Sequence, residues 1–341
     1  MAVIRDVANL CGLSVSVVSK YLNHPESVRE DTRQRVEAAI KELNYVPSTA
    51  ARSMRTNRTG MIAILVPDIR DEFHADLFNA VKRAAMQRGY TPILYTIEND
   101  LDTLHDYLGR MAINHFDGLI PCFLNEEGLL SEYDKVQERL PVVMMGGIAA
   151  NSEEASYSRV AIDVQWGAYK ATKHLIEQGY KRIAFIGGPK GMHMTDVKFS
   201  GYQRALEEAG MSVREDYLCY GKYRYQTGEE AAEHYLTLED RPDAVFASND
   251  AIAAGLMKRI MRVGIRIPKE FGVVGFDNVP LAEVYEPAIS TIAVPLEDMC
   301  REAVNLLVDK IEGENNKRTT SIFEIKLLPR ESSRHHGKYR E

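Results

Sequence analysis

The hydrophobic pattern of this chain changes period at one point, close to Gly60, and that break constrains every fold it can adopt. After it, short continuous apolar runs alternate with amphipathic segments. Met61–Val66 reads as a buried strand, Phe73–Arg88 as a helix, Pro92–Tyr95 as a strand and Leu101–Asn114 as a helix. Gly118–Pro121 and Val142–Met145 follow as strands. The alternation returns after Asp163 with a helix to Gln178, a strand Arg182–Ile186, a helix Val197–Ala209 and a strand Ala244–Ala247. A helix Asn249–Val263 then leads into the strand Gly272–Phe276. Strands apolar on both faces, separated by helices, predict parallel sheets covered on both sides. Gly89, Gly179 and Gly210 each stand where a helix ends, the left-handed position glycine takes without steric cost. The half-repeat predicts two similar α/β lobes with a cleft between them.

Before the break the pattern is helical throughout. Three helical segments fit residues 5–45, and the third, from about Asp31 to Leu43, puts Val36, Ala39, Ile40 and Leu43 on one face. The first two are joined by a tight turn at Gly12, and the second opens on Ser14 as an N-cap. A compact helix-turn-helix of this kind lays its second helix in the DNA major groove. Val17, Val18 and Tyr21 read as packing residues. Asn44-Tyr45-Val46-Pro47 breaks the third helix, and Ser48–Arg55 is a short helix-capable segment, too short to be stable alone in water.

At 341 residues the chain calls for two or three domains. Its net charge of −7 argues against nucleic acid only until it is divided. Residues 1–60 carry nine lysines and arginines against six acids, a net of +3, so the remainder is strongly acidic. A basic head on an acidic body suits phosphate contact at one end. The four cysteines, Cys11, Cys122, Cys219 and Cys300, share no metal-ligand spacing and read as reduced structural thiols. No apolar run is long enough to cross a bilayer, and the N-terminus lacks the apolar core of a signal peptide. A cytoplasmic protein is therefore expected. There is no Walker A loop, G-x-G-x-x-G, nucleophile elbow or histidine–cysteine cluster. Gly187-Gly188-Pro189-Lys190-Gly191 has the wrong spacing for a phosphate cradle, so neither an enzyme nor a cofactor is expected.

Read end to end, the chain resembles the lactose/galactose-repressor family of bacterial transcription regulators. The resemblance is carried by Ile4–Ala8, Leu13–Ser19, Leu22-Asn23, Glu30–Arg33, Ala51–Met54, Val66–Asp68, Val274–Asn278 and Arg330–Ser333. It implies an all-α helix-turn-helix headpiece plus an α/β core of two doubly wound parallel-sheet lobes, periplasmic-binding-protein-like. The implied division is a headpiece at 1–46, a hinge helix and linker at 47–59, one lobe of 60–162 with 293–322, and a second of 163–292 with 323–341. It also implies a DNA-binding transcriptional repressor in the bacterial cytoplasm, associated with the nucleoid. A homodimer would read a near-palindromic operator on double-stranded DNA, without membrane contact. At the matching positions Val15, Ser16 and Lys20 face base edges, an apolar contact for a thymine methyl, a small hydroxyl and a cation for guanine acceptors. Ser14, Ser19, Asn23, Arg52 and Arg55 are assigned to the same interface, and Met54 to a wedge between base steps. Lys20 replaces the commoner arginine and so loses bidentate geometry.

For the ligand, strand carboxyl ends point to Asp68–His74, the loop after Gly187, Asn249 and Asp277. The resemblance assigns effector contacts to Phe73, His74, Asp163, Lys198, Tyr223, Asn249 and Asp277, and Asp71 of the strand-end loop joins them. A helix-cap role competes at Asn249, surface packing at Tyr223 and a surface position at His74, while Trp166 reads as a helix-packing residue. Two departures fall in this set: Lys198 stands where sugar-responsive members carry arginine, and Asp71-Glu72-Phe73-His74 replaces Asn-Pro-Phe-Phe. A carbohydrate effector is the first expectation. A nucleobase, an anionic metabolite, a phosphoprotein co-repressor, or a solute-binding protein without DNA function remain as alternatives.

Overall fold

The computed structural model describes residues 2–45, 58–97, 100–113, 116–124, 127–137, 139–148 and 157–334. Two compact units divide at Thr59/Gly60, where the hydrophobic period changes. The first unit carries helices α1 (Ile4–Cys11), α2 (Val15–Asn23) and α3 (Glu30–Glu42). Their inner faces meet in a small core of Val7, Ala8, Val18, Val36 and Ala39, all buried. Ile40 and Leu43 are only partly buried at its edge, as are Val17 and Tyr21. Gly12 ends α1 at φ 64°, and its amide closes the turn on the carbonyls of Ala8 and Asn9. The Arg35 guanidinium of α3 donates to the Cys11 carbonyl at 2.6 Å, so the turn is pinned by a partner 24 residues away.

In the second unit the strand β1 (Met61–Val66) sits between β2 (Thr91–Thr96) and β3 (Gly118–Pro121), all parallel. A second parallel ladder places β5 (Ser158–Asp163) between β4 (Val143–Ile148) and β11 (Thr320–Phe323). Isolated parallel bridges Leu119–Val142 and Cys122–Met145 stitch the two ladders into one sheet. Helices α4 (Glu72–Gln87) and α12 (Leu296–Glu312) pack together on one side, tied by Arg88 to Asp309 at 3.0 Å. Helices α5 (Leu101–Ile113) and α6 (Glu127–Val136) lie over a separate core that includes Leu104, Leu129 and Tyr133. Covered from both sides, Ile62–Val66 are fully buried, which explains their unbroken apolar run.

The other lobe is a six-stranded sheet ordered β12 (Lys326–Leu328), β10 (Ser290–Ala293), β9 (Gly272–Asp277), β8 (Ala244–Ala247), β6 (Ile183–Gly187), β7 (Leu218–Tyr220). Only β12 runs antiparallel. Helices α7 (Val164–Gln178) and α8 (His193–Glu208) form a tight pair on it. So do α9 (Tyr225–Thr237) and α10 (Asp250–Arg262), with the short α11 (Pro280–Val284) after β9. The second pair is close because neither contact residue has a side chain. A Cβ on Gly255 would stand 1.9 Å from the Tyr225 carbonyl oxygen, and one on Gly228 2.0 Å from that of Ile252. The chain passes between sheets after Asp163, after Ala293 and after Phe323.

Gly89, Gly179 and Gly210 take φ of 79°, 99° and 69°, the expected left-handed ends. Most strands and helices lie within a few residues of their predicted positions. The largest difference is α8, which starts at His193 rather than Val197. Helices α6, α9, α11 and α12 and strands β5, β7, β10, β11 and β12 are additional to the predicted elements. Trp166, read as a helix-packing residue, is 40% exposed, stacks on Tyr169 of its own helix at 4.8 Å and lies 6.0 Å from the Arg204 guanidinium of α8. The four cysteines are free thiols. No helix among the described residues is long and apolar enough to cross a membrane.

Candidate functional site

Two surfaces concentrate the chemistry. In the first unit, Ser14 caps α2 by accepting from the Val17 amide, and its hydroxyl lies 2.8 Å from that of Ser16. Burying Val18 against α1 and α3 turns the opposite side of α2 outward, so Val15, Ser16 and Lys20 are exposed, Val15 at 40%. Ser19 is half-buried beside them, and Asn23 ends the helix. Tyr21 is held by a 2.9 Å hydrogen bond from its hydroxyl to Glu37. Arg52, Met54 and Arg55 lie outside the described residues.

In the second unit a cavity of about 270 Å³ opens between the lobes, lined from both. One lobe contributes Pro67, Asp68, Arg70, Asp71, Phe73, His74 and Phe123; the other contributes Met192, Met194, Lys198, Lys222–Arg224, Phe276 and Asp277. Of the expected ligand residues, Asp71, Phe73, His74, Lys198, Tyr223 and Asp277 converge here. Two do not. Asp163 spends its carboxylate on the Trp166 amide at 2.8 Å, capping α7. Asn249, 2% exposed, accepts from the Ile252 amide at 2.9 Å and caps α10. Both lie at strand ends, where the same position starts a helix, and neither lines the cavity.

His74 is buried, not on the surface, with Nδ1 2.9 Å from the Asp68 carbonyl oxygen, and burial lowers its pKa. Burial raises the Asp71 pKa even though the adjacent His74, the Phe73 amide and Lys198 oppose this. Asp68 goes the other way. Burial disfavours its charge, but hydrogen bonds from Arg70 and Arg224 prevail and hold its carboxyl well below the usual range. Asp277 ends β9 with its carboxyl pushed up to about 7 by burial, against the pull of Lys198. It sits at φ 102° and Asn278 at 60°, backbone conformations that cost on the order of 1–3 kcal/mol each. Phe123, at φ 55°, lines the same cavity and meets Phe73 edge-on at 5.1 Å. Strain is thus concentrated on the cavity wall. Tyr223 packs over Gly188, where a Cβ would stand 2.3 Å from its ring, and its hydroxyl lies 3.1 Å from that of Thr195.

Cavity residues not foreseen include Phe123, Met192, Met194, Lys222 and Arg224. Met194 lies in the first turn of α8 and the others on connecting segments, where hydrophobic periodicity gives no sign of which residues meet at the cavity. A helix-turn-helix unit joined to a two-lobed, cleft-bearing core defines a ligand-responsive DNA-binding regulator as the class of protein.

Comparison with known proteins agrees. Residues 3–48 match the model of bacterial regulatory proteins, lacI family, and residues 172–333 that of a periplasmic binding protein-like domain. The HTH-type transcriptional repressor PurR of Photobacterium profundum is 32% identical over 97% of this chain and 98% of its own length. Its counterpart in Vibrio cholerae is 34% identical, over 95% of each. Among solved structures, a complex of the transcriptional regulator CelR with cellobiose is 32% identical over 97% of this chain and all of that one, with a TM-score of 0.71. The Lac repressor dimer bound to operator and the anti-inducer ONPF shares the fold at a TM-score of 0.86, with 21% identity over 97% of this chain and 99% of that one. The chain belongs to the lacI family of DNA-binding transcriptional repressors.

Proposed function

We propose that this repressor is a homodimer that reads a near-palindromic operator through Val15, Ser16 and Lys20 and is switched by a carbohydrate bound between its core lobes. Ser14, Ser19 and Asn23 flank the base-reading face, and Arg52, Met54 and Arg55 belong to a hinge over the minor groove. The observation that carries the reading is the cavity itself: six of the eight expected ligand residues line one space, with carboxyls to grip hydroxyls and aromatic faces beside them. Cellobiose in the complex of the CelR relative supports a sugar. Asp163 and Asn249 act as helix caps outside the cavity.

A ligand preferring one lobe arrangement biases the headpieces of the dimer, a coupling worth about 1–3 kcal/mol in operator affinity. Neither catalysis nor a cofactor enters this reading, and its place of action is the bacterial cytoplasm, on the nucleoid. A second reading has one observation behind it: Phe73, Phe123, Tyr223 and Phe276 would also enclose a planar nucleobase.

Deleting residues 1–58 tests the division of labour. Operator binding in a gel-shift assay is expected to vanish while ligand binding by calorimetry survives. A truncated core that still shifts operator DNA refutes the assignment.

A further inference from the structure

Lys198 occupies an unusual position for a lysine. It lies within α8, 6% exposed, and its ammonium donates to the Ser248 carbonyl at 2.7 Å. Its nitrogen also sits over the Phe276 ring at 4.3 Å and near that of Tyr223 at 5.4 Å. An ammonium has three donors, and a single carbonyl uses one of them. Among the described residues no carboxylate pairs with it directly; Asp277, Asp71 and Asp250 act only through space. Burying such a charge costs several kcal/mol, which a cation–π contact and one hydrogen bond only partly offset. Burial accordingly lowers the Lys198 pKa. The group opens onto the cavity, so the missing counter-charge has a place to bind.

The rest of the wall points the same way. Arg70, Lys198, Lys222 and Arg224 face Asp68, Asp71 and Asp277. Asp68 is shared between Arg70 and Arg224, both at 2.8 Å. Burial raises the proton affinity of Asp71 and Asp277, so the lining carries less negative charge than its composition suggests. The Asp277 carboxyl receives no hydrogen bond from described residues and is free to take a pair of hydroxyls. A neutral sugar would satisfy Asp277 and leave Lys198 unmatched.

We propose that the cavity takes an anionic polyhydroxylated ligand, a sugar acid or sugar phosphate, with its anion on Lys198 and hydroxyls on Asp277. The proposal rests on the carbohydrate reading of the site and adds the charge of the ligand. A carboxylate and a phosphate present the same chemistry to a single ammonium, and the two sources are separated by experiment.

Isothermal titration of the full-length protein with glucose, galactose, their uronates, their 6-phosphates, gluconate, cellobiose and adenine tests it. At least one anionic sugar is expected to bind at least about tenfold more tightly than its neutral parent, a difference of about 1.4 kcal/mol. Preference for a uronate or aldonate identifies a carboxylate, and preference for a 6-phosphate identifies a phosphate. In Lys198→Met the preference is expected to collapse to about twofold or less, and in Lys198→Arg to persist, with thermal unfolding verifying that both variants fold. Neutral sugars binding as tightly as their anions, or an unchanged preference in Lys198→Met, overturns the proposal while leaving a carbohydrate site intact. Binding of adenine alone, or of nothing in the panel, overturns both.

Discussion

Arg224, at the start of α9, reaches Asp68 of the opposite lobe at 2.8 Å, while Arg70 holds the other face of the same carboxylate. The pair bridges the mouth of the cavity, so the lobes are latched by a contact that the ligand itself can reinforce or displace. Both side chains are about 30% exposed, which places the pair between a weak surface bridge and a desolvated one.

Removing the latch should therefore shift lobe closure more than it shifts folding. Arg224→Ala is expected to leave the unfolding free energy within about 1 kcal/mol of the parent. It should weaken effector binding roughly tenfold, a tax of about 1.4 kcal/mol on the closed state. Calorimetry paired with small-angle scattering checks this; unchanged affinity and unchanged dimensions would dismiss the latch.

Lys20 and Ser14 should separate under mutation. Lys20→Ala is expected to cost about 1–3 kcal/mol of operator affinity and to relax discrimination at the base pair it reads, with the helix unaffected. Ser14→Ala instead removes the cap on α2 and should cost about 1 kcal/mol of headpiece stability, seen as a lower melting temperature with or without DNA.

His174 makes stability depend on pH. It is buried against the C-terminal segment, 2.8 Å from the Ser333 hydroxyl, which in turn lies 2.6 Å from that of Ser290. Burial, with Arg334 adding to it, pushes its pKa down to about 4. Below pH 6.5 the unfolded histidine takes a proton that the folded one refuses, so stability falls as pH drops from about 6.5 to about 4. The loss is on the order of 3 kcal/mol. Asp277, raised to about 7, acts with opposite sign: the folded state keeps a proton that the unfolded state releases above pH 4. The difference between parent and His174→Gln in urea unfolding isolates the histidine contribution. Parallel curves for the two proteins from pH 4 to 7 would remove His174 from the account.

Gly255→Ala tests the packing of α9 on α10. A methyl placed 1.9 Å from the Tyr225 carbonyl oxygen must displace backbone, and a loss of about 1–3 kcal/mol is expected by chemical denaturation. A neutral result would show that the two helices can separate without penalty.

The fold was largely legible because its signals are local. The apolar run Met61–Val66, the serine opening α2 and the glycines ending helices each act through their own few residues. The site was legible only in part. Asp71, Phe73, Lys198, Tyr223 and Asp277 were found from strand ends and motif positions, whereas Asp163 and Asn249 share those features and spend their side chains on helix caps. A short polar residue at a strand-to-helix junction can serve either end, and sequence does not distinguish them.

The amino-acid sequence by itself determined the two-part plan: a helical reader, then an alternating α/β core, split where the hydrophobic period changes near Gly60. Tertiary structure alone decided what surrounds Lys198 and what holds Asp68. Hydrophobic periodicity reports which face of an element is buried. It carries no information about which charges from distant segments meet in the space that is left, and the arrangement of Lys198, Asp277, Asp68 and Arg224 depends on that meeting.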